Sequence, residues 1–514
     1  MKSKIVDKLF LLICFTLIFN NIPHQLQMNF IGGPVGWKLV LYPLGLGFLY
    51  TLYCQYKYRN VFVHFDEFKK FTIIYLTILM TSLFLGLYNY PYYDAVFSGP
   101  IDQIEKLPKV LDFFQDHGIV IDQKIALGAW IITRQIKAVF LEVLWCFGGA
   151  YMIFCWYYNN WQKAIKIMCE GVLLGLIVIF IYGTVEIFYF LGSHTARNFL
   201  EIITPYLHPI KTNHGWWPPL LWPGQLRSVF VEPSHIGNYI ALAIPVLWCM
   251  YLRDISWKIL VMSSYLMFLV FLTQARTSYA MLFGMTILYF SLLLIAYKKK
   301  VLLKRFGVIC FTGIIIFGIA VQFINYTKNI EMKEKATAAD ILMNNFSSLA
   351  STNQRSNGAR YALLKSNFRI ALDNPVLGVG KGLATAYIVD YYTENEKQNY
   401  EVKNWIKYQE EKGVFSSMAS IDGAMNEYVT RLAQNGIIGL GVFLFPFCWV
   451  GIKLLKTYKN SDGNKQIDIL MILFAIISSL VAGCNLSLNE FYSVWILLGL
   501  GFAIAYDEKE RIYK

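Results

Sequence analysis

Three arginines stand at predicted helix boundaries of this 514-residue chain, each within a short polar motif. Arg227 begins Arg-Ser-Val-Phe-Val-Glu-Pro-Ser, Arg276 lies in Thr-Gln-Ala-Arg-Thr-Ser, and Arg360 precedes Tyr-Ala-Leu-Leu. A guanidinium group is planar and permanently charged, and it binds phosphate oxygens through two parallel hydrogen bonds. If the fold brings the three arginines together, they predict a site for an anionic, phosphate-bearing substrate.

A glutamate and a histidine follow the first arginine and are candidates for acid–base chemistry. Glu232 and His235 lie in Glu-Pro-Ser-His, where a helix is predicted to begin. Ser234 can serve there as an N-cap and Glu232 can complement the helix dipole, so a structural role stays open. A carboxylate close to an anion site also suits a general base, and we favour that role for Glu232. We expect His235 to line the pocket.

The composition indicates that helices in a lipid bilayer must position these residues. The chain is 56% hydrophobic and 15% charged, with a mean hydropathy of +0.45. Its net charge of +13 fits basic cytoplasmic loops, and nucleic-acid binding is not expected because no basic stripe alternates with aromatic residues. The nine cysteines fall in apolar segments without zinc-ligand spacing or a disulfide framework. No metal ion or other cofactor is expected.

Twelve apolar segments of helix length predict an all-α polytopic membrane protein with about 12 transmembrane helices. Their approximate centres are residues 15, 46, 79, 148, 180, 244, 267, 287, 316, 444, 476 and 498. Lys and Arg concentrate in the connections 55–70, 253–258 and 298–305, whereas 23–36 and 485–490 contain none. The positive-inside rule therefore predicts that both termini are cytoplasmic.

This orientation places three longer segments on the extracytoplasmic side: 89–137, 192–235 and 326–425. The last has helical periodicity from Tyr361 to Leu372, and Asn374-Pro375 is predicted to end that helix. A glycine-rich turn, Val376 to Gly382, follows, and its amides are candidates for phosphate binding. The expected organisation is residues 1–325 as transmembrane helices 1–9, residues 326–425 as an extracytoplasmic helical loop, and residues 426–514 as transmembrane helices 10–12.

The order and spacing of these motifs resemble the O-antigen polymerase and ligase superfamily of bacterial surface-polysaccharide assembly. The resemblance extends over roughly residues 225–445. It is carried by Arg227 to Ser234, Gln274 to Ser278, Arg360 to Gly382, and Asn426-Glu427-Tyr428 followed by Gly-Ile-Ile-Gly-Leu at 436–440. Residues before about 220 agree with the superfamily only in their hydropathy.

The resemblance implies a GT-C-like, metal-independent, inverting glycosyltransferase of the bacterial plasma (inner) membrane. Its donor would be a glycan on undecaprenyl pyrophosphate, and its acceptor another lipid-linked repeat unit, as in polymerases, or the lipid A core, as in ligases. A chain-length regulator protein is a candidate partner besides the lipid bilayer. By this resemblance Arg227, Arg276 and Arg360 bind the pyrophosphate, and four further residues contact the substrate: His235, Lys381, Asn426 and Tyr428.

One position departs from the superfamily pattern. Ligases of the superfamily carry a histidine, the proposed base, directly before the asparagine that corresponds to Asn426, and here that residue is Met425. A thioether takes up no proton, so another group must act; Glu232 is the first candidate, followed by Asp422 and Glu427. The absence of the histidine favours a polymerase of O-antigen, capsular polysaccharide or exopolysaccharide over a ligase.

A flippase or other transporter of lipid-linked oligosaccharides is the main alternative to an enzyme. A transporter needs polar or charged residues along a path inside the membrane. Most predicted spans are apolar, and three intramembrane carboxylates keep the alternative open: Glu142, Glu170 and Glu186.

Overall fold

The protein is described here from a computed structural model. The described residues are 3–19, 22, 27, 36–59, 61–208, 224–296, 300–330, 337–340, 343, 355–416 and 425–513. The structure is 80% helical, and the described residues form no strand. The predicted all-α class is therefore confirmed.

In the part of the first half that the structure describes, the chain forms ten helices and two short irregular turns of helix. The helices are α1 Ser3–Thr16, α2 Leu41–Tyr58, α3 Asp66–Tyr88, α4 Tyr93–Ser98, α5 Leu107–Asp116, α6 Gln123–Glu142, α7 Gly149–Tyr157, α8 Trp161–Phe190, α9 His194–Leu207 and α10 Pro233–Arg253. A 3-10 turn, Ile101–Gln103, precedes α5. A π-helical segment, Val143–Gly148, joins α6 to α7.

The described residues of the second half add a further ten helices. They are α11 Trp257–Leu272, α12 Arg276–Ala296, α13 Lys300–Ile330, α14 Arg355–Asp373, α15 Ala384–Tyr387, α16 Glu394–Lys397, α17 Tyr400–Lys412, α18 Glu427–Lys459, α19 Gly463–Ala482 and α20 Tyr492–Tyr513. The predicted loop helix begins at Arg355, five residues earlier than expected, so Arg360 lies inside α14 rather than at its start. The helix ends at Asp373, directly before Asn374-Pro375, as predicted.

Among the residues that the structure describes, eight helical segments are long and apolar enough to cross a membrane. They are 66–88, 123–157, 161–190, 233–253, 276–294, 301–328, 427–459 and 463–482; two shorter apolar helices span 257–272 and 492–507. The two remaining predicted centres, residues 15 and 46, fall in α1 and α2, which do not reach the same combination of length and hydropathy. The prediction of a multi-pass membrane protein is confirmed.

One end of the bundle, called the loop end below, is where α3, α8, α11 and α19 end and α6, α10, α12 and α20 begin. Contacts between distant segments identify it. The amide of Leu226 donates to the carbonyl of Leu272 at 3.1 Å, and the amide of Glu427 donates to the carbonyl of Gly483 at 2.8 Å. The described parts of the connections 89–137 and 326–425 also contact each other, since the hydroxyl of Tyr92 donates to Oδ2 of Asp390 at 2.5 Å and the amide of Phe415 donates to Oε1 of Gln103 at 3.4 Å.

The segment 355–416 forms a small helical unit with its own apolar core. That core includes Ala362, Leu363, Ile370, Ile388 and Val402 from different helices of the unit. A two-point ion pair fastens α14 to α16, with Arg369 Nη1 2.7 Å from Glu396 Oε2 and Arg369 Nη2 3.0 Å from Glu396 Oε1. The long connection is thus a structured element, as its periodicity predicts.

The glycine-rich turn docks into a break in α18. Gly436 adopts a φ of 64° there, and a Cβ at this position would lie 2.2 Å from the backbone of Val376, so the close approach requires glycine. The amide of Val379 donates to the carbonyl of Ala433 at 3.0 Å, and that of Gly380 donates to Gln434 at 2.9 Å. These two amides are used inside the protein, so the idea that they cradle a phosphate is wrong.

Candidate functional site

Two of the three predicted arginines lie together at the loop end. Arg276 is the first residue of α12, and its Nη1 donates to Oδ1 of Asn357 on α14 at 2.7 Å. The charge of Arg360, one turn further along α14, acts on the guanidinium of Arg276. Arg360 is exposed and makes no hydrogen bond or ion pair with the described residues. The fold therefore brings two positive charges from distant parts of the sequence to one place.

The start of α10 packs directly against this pair. The hydroxyl of Ser278 lies 3.4 Å from the carbonyl of Pro233, to which it donates. A Cβ at Gly237 would lie 2.6 Å from the Cα of Ser278, so only glycine permits so close a crossing of α10 and α12. The connection before α10 is held too, because Gln274 Nε2 donates to the carbonyl of Gly224 at 2.7 Å. Glu232 and Arg276 thus begin two neighbouring helices.

Arg227 lies near this crossing in the chain, but its side chain is buried, with 1% exposure. Its Nη1 donates to the carbonyl of Val231 at 3.3 Å, while Nε and Nη2 have no partner. Oε2 of Glu186 accepts the amides of Arg227 at 3.2 Å and of Ser228 at 2.7 Å. Arg227 is thus placed inside a buried polar cluster with Glu186, whereas Arg276 and Arg360 lie at the surface.

His208 belongs to the same buried cluster and was not singled out from the sequence. It caps the end of α9 and is 2% exposed, with its ring 6.0 Å from that of Tyr182. Burial and, next, the charge of Arg227 lower the pKa of His208 well below its ordinary value. A neutral imidazole is compatible with an adjacent arginine. A lone histidine at the end of a helix carries no sequence signal for this placement.

Glu232 and His235 lie at the first turn of α10. Glu232 is the N-cap residue and is partly exposed; the hydroxyl of Ser234 donates to its Oε2 at 3.4 Å. His235 lines a cavity of about 270 Å³ next to Lys38 and Glu490. Its placement agrees with the predicted pocket-lining role. Asp422, the second candidate base, lies outside the described residues.

Glu427, the third candidate base, is 3% exposed and fully engaged. Its Oε1 accepts Nε of Arg431 at 2.5 Å, and its Oε2 accepts the hydroxyl of Ser487 at 3.0 Å and the amide of Leu488 at 2.9 Å. Both oxygens of this carboxylate are thus occupied by partners inside the protein.

Asn426 and Tyr428, the predicted substrate contacts beside it, also have structural partners. Asn426 is the N-cap of α18, and its Oδ1 accepts the amides of Tyr428 at 3.0 Å and Val429 at 3.1 Å. Its Nδ2 donates to the carbonyl of Cys484 at 3.1 Å. The hydroxyl of Tyr428 donates to the carbonyl of Leu480. The motif therefore fixes the start of α18 against the end of α19.

Lys381, the last predicted substrate contact, reaches into a buried charge network. It forms an ion pair with Glu142, whose side chain is 2% exposed. Nη2 of Arg431 lies 2.7 Å from Oε1 of Glu142, and the guanidinium also contacts the hydroxyl of Tyr75. The network links the glycine-rich turn to α6 and α18, with two positive and two negative side chains once Glu427 is included. The sequence analysis did not single out Arg431, because the sequence alone does not show which residues an arginine inside an apolar helix contacts.

The three intramembrane carboxylates have separate surroundings. Glu142 belongs to the charge network, and Glu186 accepts backbone amides beside Arg227. Glu170 is exposed on α8. Two of the three carboxylates are thus held by partners inside the protein. Among the described residues, these carboxylates therefore do not form a set along a transport path.

Comparison with known proteins adds one match. Residues 259–444 match a protein-family model described as O-Antigen ligase. The matched range contains Arg276, Arg360 and Glu427 and begins after Arg227 and Glu232. No curated protein matches the chain. The domain at residues 259–444 supports the resemblance to the O-antigen polymerase and ligase superfamily, and it suggests an enzyme of the glycan-transferring kind.

Proposed function

We propose that the protein polymerises oligosaccharide repeat units linked to undecaprenyl pyrophosphate, on the outer face of the bacterial plasma membrane. The observation that carries this proposal is the pairing of Arg276 and Arg360 at the loop end. They are far apart in the sequence, and each lies on a different helix. Two like charges repel each other, so their proximity is best accounted for by an anion that binds between them.

The pair suits the pyrophosphate of a lipid-linked donor. Asn357 orients Arg276 from α14, the helix that also carries Arg360, so a change in one arginine's position moves the other. Arginines that grip both phosphates neutralise the charge that develops as the leaving group departs. Arg227 is proposed as a third member, although its buried position indicates that it supports the wall of the site through Glu186.

The reaction needs one bond to form and one to break. The acceptor hydroxyl attacks the anomeric carbon of the donor sugar, and the bond between that carbon and the phosphate oxygen breaks. Pyrophosphate leaves with the electron pair, and the hydroxyl proton passes to a base. Attack from the face opposite the leaving group inverts the anomeric centre.

Glu232 is the proposed base. It caps α10, which crosses α12 close to Arg276, and it is partly exposed with the Ser234 hydroxyl as its contact. Glu427 is less suited, because both of its oxygens already accept hydrogen bonds. Asp422 stays a candidate on the basis of its sequence position. Met425 in place of a histidine favours polymerisation over ligation, since the ligase base is absent.

A defined reaction tests the proposal. The purified full-length protein is incubated with a synthetic lipid-pyrophosphate repeat unit, without metal ions or nucleotide sugars, and products are separated by size. Growth of a ladder with release of undecaprenyl pyrophosphate is the expected result. Transfer to added lipid A core without a ladder would identify a ligase. Movement of the lipid-linked unit across proteoliposomes without any new glycosidic bond would identify a transporter.

A further inference from the structure

A second site lies at the loop end, in the cavity of about 270 Å³ that His235 lines. Its walls come from the end of α1, the start of α2, the first turns of α10, and the connection from α19 into α20. All residues that line the cavity fall outside the range 259–444 that matches the O-Antigen ligase family model. The cavity is therefore a feature that the family match does not cover.

Four polar atoms on residues that line the cavity have no hydrogen-bond partner. They are Oδ1 of Asn238, Oη of Tyr239, Oγ of Ser493 and Nδ1 of His235. Asn238 is 6% exposed, and Tyr239 and Ser493 are each 3% exposed, so bulk water does not satisfy them. Buried polar groups in native proteins are almost always paired, and four unpaired ones around one cavity point to a ligand with several hydroxyl groups.

The charge of the cavity wall sets it apart from the arginine pair. Nζ of Lys38 lies 2.9 Å from Oε2 of Glu490, and these are the charged side chains of the lining. The two charges cancel, and an anionic ligand would meet the carboxylate of Glu490. The arginine pair, by contrast, brings two positive charges close together. The cavity therefore suits a neutral ligand.

The apolar lining and the volume of the cavity further limit the class of ligand that fits. Phe19, Phe491 and Tyr492 provide aromatic surface beside the polar atoms. A sugar ring combines C–H faces, which pack on aromatic side chains, with hydroxyl groups that both donate and accept hydrogen bonds. At about 30 Å³ for each water molecule, the cavity holds the equivalent of roughly nine waters, which is the scale of one sugar ring rather than of a long glycan.

We propose that this cavity binds one neutral sugar ring of the acceptor glycan. The proposal rests on the proposed function, in which the donor pyrophosphate occupies Arg276 and Arg360. Gly237 lies against Ser278 on the side of α10 that faces α12, whereas Asn238 lines the cavity. A single helix thus separates the two sites, and Glu232 caps that helix. His235, which lines the cavity, lies one turn along α10 from Glu232, so the proposed base and the proposed sugar site are at the same end of this helix.

Binding of sugars and of pyrophosphate to the same purified protein tests the proposal. The full-length chain is placed in nanodiscs of phosphatidylethanolamine and phosphatidylglycerol, which carry no sugar headgroups. Saturation-transfer NMR is recorded with the methyl glycosides of glucose, galactose, mannose and N-acetylglucosamine. Isothermal titration with inorganic pyrophosphate is the parallel measurement. We expect saturable binding of at least one glycoside to the wild-type protein.

Two cavity variants and one matched control locate the binding. Asn238→Leu and Ser493→Leu are expected to weaken glycoside binding about tenfold and to keep pyrophosphate affinity within about twofold. Ser478→Ala is the control, because Ser478 is another buried serine with an unpartnered hydroxyl and does not line the cavity. Ser493→Ala replaces the leucine variants if these lose pyrophosphate binding through misfolding, and it too is expected to weaken glycoside binding.

The outcomes separate the two proposals. Absence of saturable binding of all four glycosides to the wild-type protein would overturn the sugar site, as would equal binding by the cavity variants and Ser478→Ala. Glycoside binding that depends on Asn238, in a protein that does not bind pyrophosphate, would support the cavity and refute the proposed function. Loss of pyrophosphate binding in Arg360→Ala with glycoside binding retained would support both.

Discussion

Replacement of Arg276 by glutamine should separate ligand binding from folding. The side chain donates to Asn357 at 2.7 Å and lies beside the charge of Arg360. The substitution removes a hydrogen bond with a net value of about 0.5–1.5 kcal/mol. It also removes a repulsion between like charges at a partly exposed position, which acts in the opposite direction. We expect the free energy of unfolding to change by less than about 1 kcal/mol.

The affinity for pyrophosphate should change far more. A hydrogen bond to a charged group contributes about 1.5–3 kcal/mol, and loss of one such contact corresponds to about 10- to 150-fold weaker binding. Arg360→Gln should have a similar effect, because its side chain has no other partner among the described residues. The double variant should bind still more weakly, and the binding of both single variants should become less dependent on salt concentration.

Isothermal titration with inorganic pyrophosphate and thermal unfolding followed by tryptophan fluorescence measure the two quantities on the same preparation. Arg197→Gln is the control, because Arg197 is an exposed arginine on α9 that pairs with Glu201. The control should leave affinity and unfolding temperature unchanged. Unchanged pyrophosphate affinity in Arg276→Gln would refute the clamp. A fall in unfolding temperature as large as that of a core substitution would show that Arg276 serves the fold instead.

Three further predictions concern the buried charges and the base. Arg431→Met leaves the buried Glu427 without its counter-charge and leaves Glu142 with Lys381 alone, and it should destabilise the protein by about 3–5 kcal/mol. Partial recovery is expected when Glu142→Gln is added; no recovery in thermal unfolding would mean that the two residues are not coupled. Arg227→Ala should lower the unfolding temperature and abolish long-chain polysaccharide in cells, and a normal ladder on a gel would exclude any need for this arginine. Glu232→Gln should reduce the rate of chain growth more than His235→Ala does at equal protein levels; the reverse order would assign the base to the histidine.

The sequence was sufficient to predict the helices, because hydropathy over a long window reflects the cost of exposing backbone polar groups to lipid. Each of the twelve predicted centres falls within a helix, and the stop at Asn374-Pro375 follows from the restriction that proline places on the residue before it. The break at Gly436 was not predicted. The break depends on contact with the glycine-rich turn, which is distant in the sequence. The sequence around Gly436 alone does not indicate that contact.

Prediction of the site was less complete, for a related reason. The motif around Arg276 and Arg360 indicates the right residue types, but only the packing of α12 beside α14 brings them together. The sequence analysis grouped Arg227 with these two arginines. Arg227 does precede α10, the helix that packs on α12, but its side chain is buried near Glu186. An arginine at a helix boundary can point toward the surface or toward the interior. Spacing along the chain does not specify that choice.

The buried charges connect several elements at the loop end to one another. Lys381 binds Glu142, Arg431 binds Glu142 and Glu427, and Glu427 accepts the amide of Leu488, so the glycine-rich turn, α6, α18 and the connection after α19 share one network. A network of this kind contributes little net stability but is disrupted by loss of any one member. It fixes the connection that forms one wall of the cavity beside His235. Glu427 and Lys381, which the sequence offered as a catalytic and a substrate-binding residue, thereby belong to the support of both proposed binding sites.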